Sequence, residues 1–380
     1  TDNGSAATGT NAATESAAAS DSAASGSVFK IGGIGPTTGG AAVYGLAVQH
    51  GAEIAVEEIN AAGGINGYQV EFKFQDDEAD AEKSVNAYNA LKDWGAQIID
   101  GSTTSGACIA VTDKTKEDNM FQITPSGSAV ECVQYDNNFR VCFSDPNQGL
   151  ASAQYIGENG LAEKIAVIYD SSDVYSSGIY EKFAKEAENQ PFEIVAAEAF
   201  TADNKTDFSV QLQKAKDAGA DMVFLPIYYQ ESALILTQAA AMGYAPKWFS
   251  CDGMDGILGG VDNFDVSLTE GVMLLTPFAA DATDDLTQSF VTKYKEKYGD
   301  TPNQFAADSY DAIYVIKAAI EKSGVTPDMS VSDICDGMKA AMTEITVDGL
   351  TGNGMTWTAD GEANKAPKAV VIENGAYKAM

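Results

Sequence analysis

The sequence predicts an α/β protein composed of two similar lobes, each with a doubly wound, mainly parallel sheet. Two observations support this prediction. The same order of apolar strands and amphipathic helices occurs at 29–106 and again at 164–232, and strands that alternate with helices form right-handed βαβ units in parallel sheets. Because such sheets bind ligands beyond the carboxyl ends of their strands, two of them in one chain indicate a cleft between two lobes.

Each copy contains three predicted strands that alternate with two predicted helices. In the first copy the order is strand 29–34, helix 53–62, strand 70–74, helix 81–94 and strand 97–100. In the second copy the order is strand 165–169, a helix ending at 187, strand 194–200, helix 208–218 and strand 222–225. A small, polar loop follows the first strand of each copy, at 37–45 and at 171–178.

Length and charge restrict the classes of function. With 380 residues the chain is long enough to bury two cores. Its 23 Lys and Arg residues against 55 Asp and Glu residues give a formal net charge of −32, which disfavours nucleic acid and anionic membrane surfaces as partners. Arg140 is the single arginine, so no pair of guanidinium groups can clamp a phosphate or a dicarboxylate. Backbone amides, hydroxyls or lysines must hold any anionic group of a ligand.

The first 27 residues differ from the rest of the chain. They are mostly Ala, Ser, Thr, Gly and Asn, a composition that cannot offset the entropy of ordering. We therefore expect a flexible tether at 1–27, as in an anchored exported protein, with a neutral disordered tail as the alternative. The chain begins without Met, as expected of a processed or recombinant product, and no apolar run reaches the length of a membrane span, so we expect a soluble chain.

The cysteines do not show the spacing of a metal site, and no metal is expected. Cys132 and Cys142 flank a turn-like segment at 135–138, so a hairpin disulfide between them is one interpretation. Cys108 is a competing partner, and buried free thiols are an equal alternative. The chain contains five cysteines in all, at Cys108, Cys132, Cys142, Cys251 and Cys335.

Two loops rich in hydroxyls follow neighbouring strands of the first copy. The strand at 97–100 is followed by a loop at 101–106, which precedes a helical stretch at 108–117. The next strand, at 121–124, ends in the loop 125–128, which carries Ser126 and Ser128. Backbone N–H groups at a helix amino terminus favour a carboxylate, although ordinary helix capping by Ser or Thr is the simpler interpretation of one such loop. Two loops on adjacent strands favour a binding site.

The second copy places aromatic residues and one acid at the equivalent strand ends. Tyr175, Tyr228, Tyr229 and Asp252 follow its strands. Each alone is more typical of packing or of a turn. Together with the hydroxyl loops of the first copy they predict a zwitterion bound across the cleft by its carboxylate and its ammonium group.

At these residues the chain resembles the substrate-binding proteins of branched-chain amino acid ABC importers, of the Leu/Ile/Val-binding type with the type I periplasmic fold. The resemblance extends from about Phe29 to the end. It is carried by IGGIGPTTGGAAVYG at 31–45, GAEIAVEEINAAGGING at 51–67, ITPSGS at 123–128 and FRVCFSDPNQG at 139–149. It implies two lobes joined by a three-strand hinge, which close on a ligand in the manner of a Venus flytrap. The first lobe would comprise 28–145 and 278–350, and the second 146–277 and 351–380.

The resemblance also implies a set of ligand-binding residues. They are Tyr44, Thr103, Thr104, Ser105, Ser126, Ser128, Tyr175, Tyr228, Asp252 and Phe305. Two positions depart from the Leu/Ile/Val-binding proteins, which have Glu where this chain has Asp252 and Ala where it has Ser126. The shorter acid must approach the ligand more closely, and the extra hydroxyl makes the floor of the site more polar.

The resemblance implies a monomeric amino acid carrier that is not an enzyme and needs no cofactor. It would capture a branched-chain or other aliphatic amino acid outside the cytoplasm, as a cell-surface lipoprotein or a periplasmic protein, and deliver it to a membrane permease with its ATPase. A ligand-sensing receptor module, or a binder of small amides or aromatic acids, is the alternative on the same fold.

Two classes of enzyme fit the sequence less well. Gly33, Gly35 and Gly39 follow the first strand in a GxGxxxG spacing, but Pro36 interrupts it and Asp76 lies too far along for a dinucleotide site. There is no GxSxG motif, and His50 is the single histidine, so hydrolase chemistry is disfavoured.

Overall fold

A computed structural model describes residues 27–380. The tether predicted at 1–27 therefore lies outside the described residues, apart from Ser27.

The first lobe is built around a five-stranded sheet in which every neighbouring pair is parallel. The strands are β1 (Phe29–Gly35), β2 (Val70–Asp76), β3 (Ile98–Asp100), β4 (Phe121–Thr124) and β5 (Asn138–Arg140). They lie in the spatial order β2-β1-β3-β4-β5, so the chain passes from β2 on one side of β1 to β3 on the other.

The second lobe contains a seven-stranded sheet. Its strands are β6 (Lys164–Asp170), β7 (Glu193–Phe200), β8 (Met222–Leu225), β9 (Lys247–Ser250), β10 (Met273–Thr276), β11 (Lys368–Glu373) and β12 (Ala376–Ala379). They lie in the order β12-β11-β10-β9-β8-β6-β7 and are parallel from β10 to β7, so the prediction of mainly parallel sheets is confirmed. The antiparallel edge hairpin β11-β12 was not predicted, although Asn374-Gly375, both with positive φ, is a favoured hairpin turn.

Helices flank both sheets. They are α1 (Ala42–Ala61), α2 (Ala81–Trp94), α3 (Ser105–Asp118), α4 (Asp145–Glu158), α5 (Val174–Ala187), α6 (Ser209–Asp217), α7 (Tyr229–Ala241), α8 (Asp285–Tyr298), α9 (Gln304–Ser323) and α10 (Val331–Met342). Helix α2 has the bounds predicted from sequence because its end signals are strong. Asp80 accepts from the Lys83 N–H at 2.9 Å at its start, and Gly95 adopts a left-handed conformation after its end.

Helix α9 brings a late part of the chain back to the first sheet. Ser309 Oγ donates to Asp100 Oδ2 at 2.8 Å, at the end of β3. The helix also lies so close to α1 that a Cβ on Gly51 would be 2.0 Å from the carbonyl oxygen of Ala306. Only glycine permits this approach, which closes one side of the first lobe.

In this structure all five cysteines are buried and have free thiols. The hairpin disulfide between Cys132 and Cys142, one of the sequence-based interpretations, is not formed in this structure.

Within residues 27–380, no helix combines the length and the apolar character that a membrane crossing requires.

Candidate functional site

The predicted binding loops of the two lobes meet around one small cavity. It has a volume of about 10 Å³, which is room for about one water molecule. A larger molecule can therefore enter only when the lobes separate or side chains move. The lining residues are Tyr44, Thr103, Thr104, Ser105, Ser126, Tyr175, Tyr228, Asp252, Gly253 and Phe305.

The candidate binding site for a carboxylate group lies at the start of α3. This helix begins at Ser105, three residues earlier than the sequence predicted, so Ser105 belongs to its first turn. Ser105 Oγ accepts from the N–H groups of Ser128 at 3.2 Å and Ala129 at 3.1 Å. Because both lone pairs are engaged, the hydroxyl hydrogen is left to donate. A donor hydroxyl and the N–H groups of a helix start together suit an anion.

The neighbouring hydroxyls are oriented differently. Thr103 Oγ1 donates to the carbonyl oxygen of Ile34 at 3.0 Å, and Ser126 Oγ donates to that of Thr103 at 2.6 Å. Both side chains therefore offer lone pairs to the cavity rather than hydrogens. Thr104 Oγ1 is buried and has no partner among the described residues. It can donate or accept.

The acidic side of the cavity comes from the second lobe. Tyr175 donates its hydroxyl to Asp252 Oδ1 at 2.6 Å and accepts from the Gly253 N–H at 2.9 Å. The Asp252 N–H donates to Gln148 Oε1 at 3.1 Å, which anchors the backbone of the same loop. Burial raises the pKa of Asp252 to about 6, and the hydrogen bond from the Tyr175 hydroxyl opposes this rise. Asp252 is thus a buried carboxylate at neutral pH without an opposite charge from the protein beside it.

Aromatic rings form the remaining wall. The ring centroid of Tyr44 lies 4.4 Å from that of Phe305 and 5.4 Å from that of Tyr228, and Tyr175 stacks on Tyr228 at 5.0 Å. These rings surround the space between the hydroxyls and the acid with apolar surface.

Tyr44 also links the two lobes. Its hydroxyl donates to the carbonyl oxygen of Gly253 and accepts from the Tyr229 N–H at 3.1 Å. The Val43 N–H donates to the Tyr229 hydroxyl at 3.3 Å. These bonds cross the cleft, so the structure describes the closed arrangement of the lobes.

Nine of the ten site residues predicted from sequence line this cavity, and Ser128 does not. Ser128 lies behind Ser105, where its carbonyl oxygen accepts from the Asp145 N–H at 2.6 Å. Tyr175 was expected in a loop but belongs to the first turn of α5, because Asp173 caps a helix that begins at Val174. Gly253 was missed, since it contributes backbone atoms that no side-chain pattern reveals.

Two buried polar residues of α4 were also missed. Neither carboxyl oxygen of Asp145 has a hydrogen-bond partner in the described part of the chain, nor does Gln148 Nε2. Burial raises the pKa of Asp145 well above its ordinary value, and the nearby charge of Asp252 acts in the same direction. The sequence carries a signal here, because DPNQ opens a helix at the boundary between the copies.

Arg140 supports the site from behind rather than binding in it. The side chain is fully buried and donates to the carbonyl oxygens of Gly127 at 2.7 Å and Ala129 at 3.0 Å. Its Nε lies 3.0 Å from a carboxylate oxygen of Glu362. The only arginine thus holds the loop that carries Ser126.

A larger cavity, of about 620 Å³, lies beside α1, α8 and α9. Its central acid, Glu58, is already paired, because it accepts from the hydroxyls of Tyr310 and Tyr314 and from Lys293 Nζ, each at 2.6 Å. The inter-lobe cavity, with its unpaired groups, is the better candidate. In the described residues no cluster of three His, Cys, Asp or Glu side chains could hold a metal ion.

Comparison with known proteins identifies similar chains. A family model for periplasmic binding proteins matches residues 28–376. The leucine-, isoleucine-, valine-, threonine- and alanine-binding protein of Pseudomonas aeruginosa is 30% identical over 302 residues, which cover 78% of this chain and 78% of that protein.

Solved structures are similar over nearly all of the described chain. The branched-chain amino acid transporter substrate-binding protein LivJ of Streptococcus pneumoniae, in complex with isoleucine, is 29% identical, with a TM-score of 0.83 over 93% of this chain and 98% of that one. An ABC transporter solute-binding protein from R. palustris in complex with benzoate is 19% identical, with a TM-score of 0.80 over 93% and 95%.

Proposed function

Because the chain belongs to the periplasmic binding protein family, whose members bind solutes and are not enzymes, we propose that it captures an amino acid with a branched or other aliphatic side chain between its two lobes. One observation carries this proposal. The cavity has a hydrogen-donating wall at Ser105 and an unpaired carboxylate at Asp252, with aromatic rings between them.

The carboxylate of the ligand binds at the start of α3. The hydroxyl of Ser105 and the free N–H groups of the first turn donate to it, and the positive end of the helix dipole favours its charge. The single arginine, Arg140, is engaged with Gly127, Ala129 and Glu362 and does not line the cavity, so hydroxyls and backbone N–H groups must hold the carboxylate.

The ammonium group binds between the two walls. Asp252 supplies the opposite charge, and the lone pairs of Ser126 and Thr103 accept hydrogens from the other side. Placing the positive charge here relieves the cost of burying Asp252 as an anion. The side chain of the ligand then faces Tyr44 and Phe305.

Binding and closure are coupled. The ligand first contacts the hydroxyls of the first lobe, and the second lobe then moves over it to bring Tyr228 and Asp252 into place. We propose that the lobes comprise 28–145 with 278–350 and 146–277 with 351–380, and that they move about the chain crossings between these ranges.

The family places the protein outside the cytoplasm, where it works with membrane components. We propose that these components are a permease and an ATPase of an ABC importer, that the carrier is a monomer, and that it is either periplasmic or lipid-anchored at the cell surface.

Calorimetry on ligand-stripped protein tests this function. We expect binding of leucine, isoleucine, valine or alanine, and a loss of at least a hundredfold in affinity in Asp252→Ala, about 3 kcal/mol, because the ammonium group would be buried unpaired. Asp252→Asn, which keeps the shape and removes the charge, should lose nearly as much. Asp262→Ala, an exposed acid of the same lobe, is the matched control and should bind normally.

The alternative ligand class is tested in the same experiment. The R. palustris protein of the same fold holds benzoate, but a carboxylate ligand without an ammonium group would leave Asp252 unpaired. Binding of benzoate or small amides, with no binding of any amino acid, would overturn the proposed function and leave the family assignment intact.

A further inference from the structure

Two of the five buried cysteines lie side by side behind the binding loops. Cys108 is in the first turn of α3, and Cys132 is in a short 3-10 helix at Val130–Val133. Both sulfur atoms face Gly127. A Cβ at that glycine would lie 3.1 Å from Cys132 Sγ and 3.2 Å from Cys108 Sγ. The two thiols therefore occupy neighbouring positions, and they form a small apolar cluster with Ala129.

The surroundings of the pair favour reaction at Cys108. The hydrogen bond from the Cys132 thiol lowers the pKa of Cys108, and the positive charge of Arg140 acts in the same direction. Gln122 Nε2 lies 3.7 Å from Cys108 Sγ. Cys132 Sγ lies 3.7 Å from the carbonyl oxygen of Ser105, the residue that opens the proposed carboxylate site.

The other three cysteines have different neighbours. Cys251 Sγ lies 3.8 Å from Ser152 Oγ in the second lobe. Cys335 is in α10, and Cys142 follows β5, where the charges of Arg140 and Asp308 act on it. The three heavy atoms nearest to a Cβ at Gly127 would be Thr124 Oγ1 and the sulfur atoms of Cys132 and Cys108.

We propose that Cys108 and Cys132 form a disulfide bond in the mature protein, which ties the start of α3 to the segment that follows Ser126 and Ser128. The proposal rests on the extracytoplasmic location, where disulfides persist, and not on the identity of the ligand.

The oxidant is a small disulfide such as oxidised glutathione, or a protein disulfide of the same chemistry. The Cys108 thiolate attacks one sulfur of the oxidant, which forms a mixed disulfide and releases one thiolate. The Cys132 thiolate then attacks the Cys108 sulfur and releases the second. The two cysteines lose two electrons and two protons, and the oxidant becomes two thiols. Because both side chains are buried in the folded lobe, the reaction belongs to folding or local opening.

The bond would act as a staple on the carboxylate wall. Arg140 already holds the carbonyl oxygens of Gly127 and Ala129 from one side, and the disulfide would hold the same segment to α3 from the other. Ser105 and Ser126 would then keep a fixed separation in the open form, so less ordering is needed when the ligand arrives. A cross-link also reduces the freedom of the unfolded chain.

Thiol counting on the full chain tests the proposal. The protein is refolded in a glutathione redox buffer, denatured in acid and alkylated, and its mass and peptide map are measured. We expect three alkylated thiols and one linked pair of peptides containing Cys108 and Cys132. Five alkylated thiols, or a linked peptide that contains Cys142, Cys251 or Cys335, would overturn it.

Serine variants distinguish a specific bond between Cys108 and Cys132 from nonspecific oxidation of the cysteines. Cys108→Ser and Cys132→Ser should each show four alkylated thiols, and reductant should no longer lower their Tm. Cys335→Ser, the matched control, should show two alkylated thiols and keep the linked peptides. If a serine variant folds poorly, the thiol count of the wild-type protein still tests the proposal. Reductant should lower the Tm of the wild type by several degrees and weaken its amino acid binding severalfold, whereas an unchanged Tm would contradict the staple.

Discussion

Asp252 is the residue on which the proposed chemistry depends, because it is an acid buried without an opposite charge from the protein. Tyr175 fixes one of its oxygens with a hydrogen bond of 2.6 Å, and the loop backbone is anchored on Gln148. This loop places the carboxyl group of Asp252 in the lining of the cavity.

The pKa of Asp252 predicts a pH dependence of binding. Since burial raises the pKa of the free carboxyl to about 6 and the ammonium group binds only the ionised form, affinity should be constant above pH 6.5. Below pH 6 it should fall, by up to tenfold per pH unit, while the ligand itself stays a zwitterion.

Calorimetry at pH 7.5, 6 and 5 measures this dependence. The Asp252→Asn variant should bind weakly at all three values, with a flatter profile. An affinity of the wild type that is the same at pH 5 and pH 7.5 would mean that Asp252 does not pair with the ligand.

At the scale of the element, the start of α3 combines a structural role with the proposed binding role. Ser105 Oγ accepts from two buried backbone N–H groups, whereas Thr104 Oγ1, the next hydroxyl, has no partner among residues 27–380. Removing the hydroxyl of Ser105 should therefore lower the free energy of unfolding, whereas removing that of the adjacent Thr104 should not.

Two substitutions separate these roles. Ser105→Ala should lower the free energy of unfolding by about 2 kcal/mol, because two buried donors lose their acceptor, and it should also weaken ligand binding. Thr104→Val, which keeps the shape, should leave the free energy of unfolding unchanged or slightly higher. Urea denaturation and calorimetry measure both quantities. Equal stability of the two variants would contradict the bond assignment at Ser105.

The sequence predicted most elements well where local signals were strong. Helix α2 and strands β4 and β8 were predicted with the bounds that the structure shows, because capping residues and short apolar runs delimit them. The starts of α3 and α5 were predicted too late, since glycines and hydroxyls at 101–106 and 171–178 are typical of loops as well as of first turns. The edge hairpin β11-β12 was missed despite its Asn-Gly turn.

At the scale of the whole molecule, the dominant features are a large negative charge and several buried carboxyls. Burial raises the pKa of Asp100 to about 7 and those of Asp77 and Asp173 to about 6, as it does for Asp252. A carboxyl whose pKa is higher in the folded state than in the unfolded chain takes up its proton first in the folded state. Its contribution to stability therefore grows as pH falls through the folded pKa.

We therefore expect the ligand-free protein to become more stable when pH is lowered from 7.5 to 5. Protonation of these carboxyls favours the folded state, and repulsion within the chain of net charge −32 decreases. Below about pH 4 the trend should reverse, because acids such as Asp136, whose pKa Lys116 lowers, lose their ion pairs.

Thermal unfolding at pH 7.5, 6 and 5 without ligand tests this expectation. Asp100→Asn, which removes the group with the highest of these pKa values, should show a smaller rise in Tm over the range. A Tm that falls steadily from pH 7.5 to 5 would show that the buried carboxyls are ionised at little cost.

Most of the candidate site could be predicted from sequence because its side chains follow strand ends. Hydroxyls after β3 and β4 and an acid after β9 were each visible as loop residues. How the lobes approach each other decides the rest. It brings these residues to one cavity, leaves Ser128 outside that cavity and adds the backbone of Gly253 to its lining. The closeness of the Cys108 and Cys132 thiols at Gly127, a pairing that spacing alone left open, is likewise decided by the tertiary structure.

The sequence by itself determined the class of the fold, the family and the types of group that the cleft presents, because periodicity, turn residues and strand-end loops are local properties of the chain. The tertiary structure alone decided which of those groups have free hydrogens or lone pairs, which acids are buried unpaired, and which cysteines are neighbours. These depend on contacts between residues far apart in the chain, such as Tyr44 with Gly253 and Ser309 with Asp100, and no local pattern encodes them.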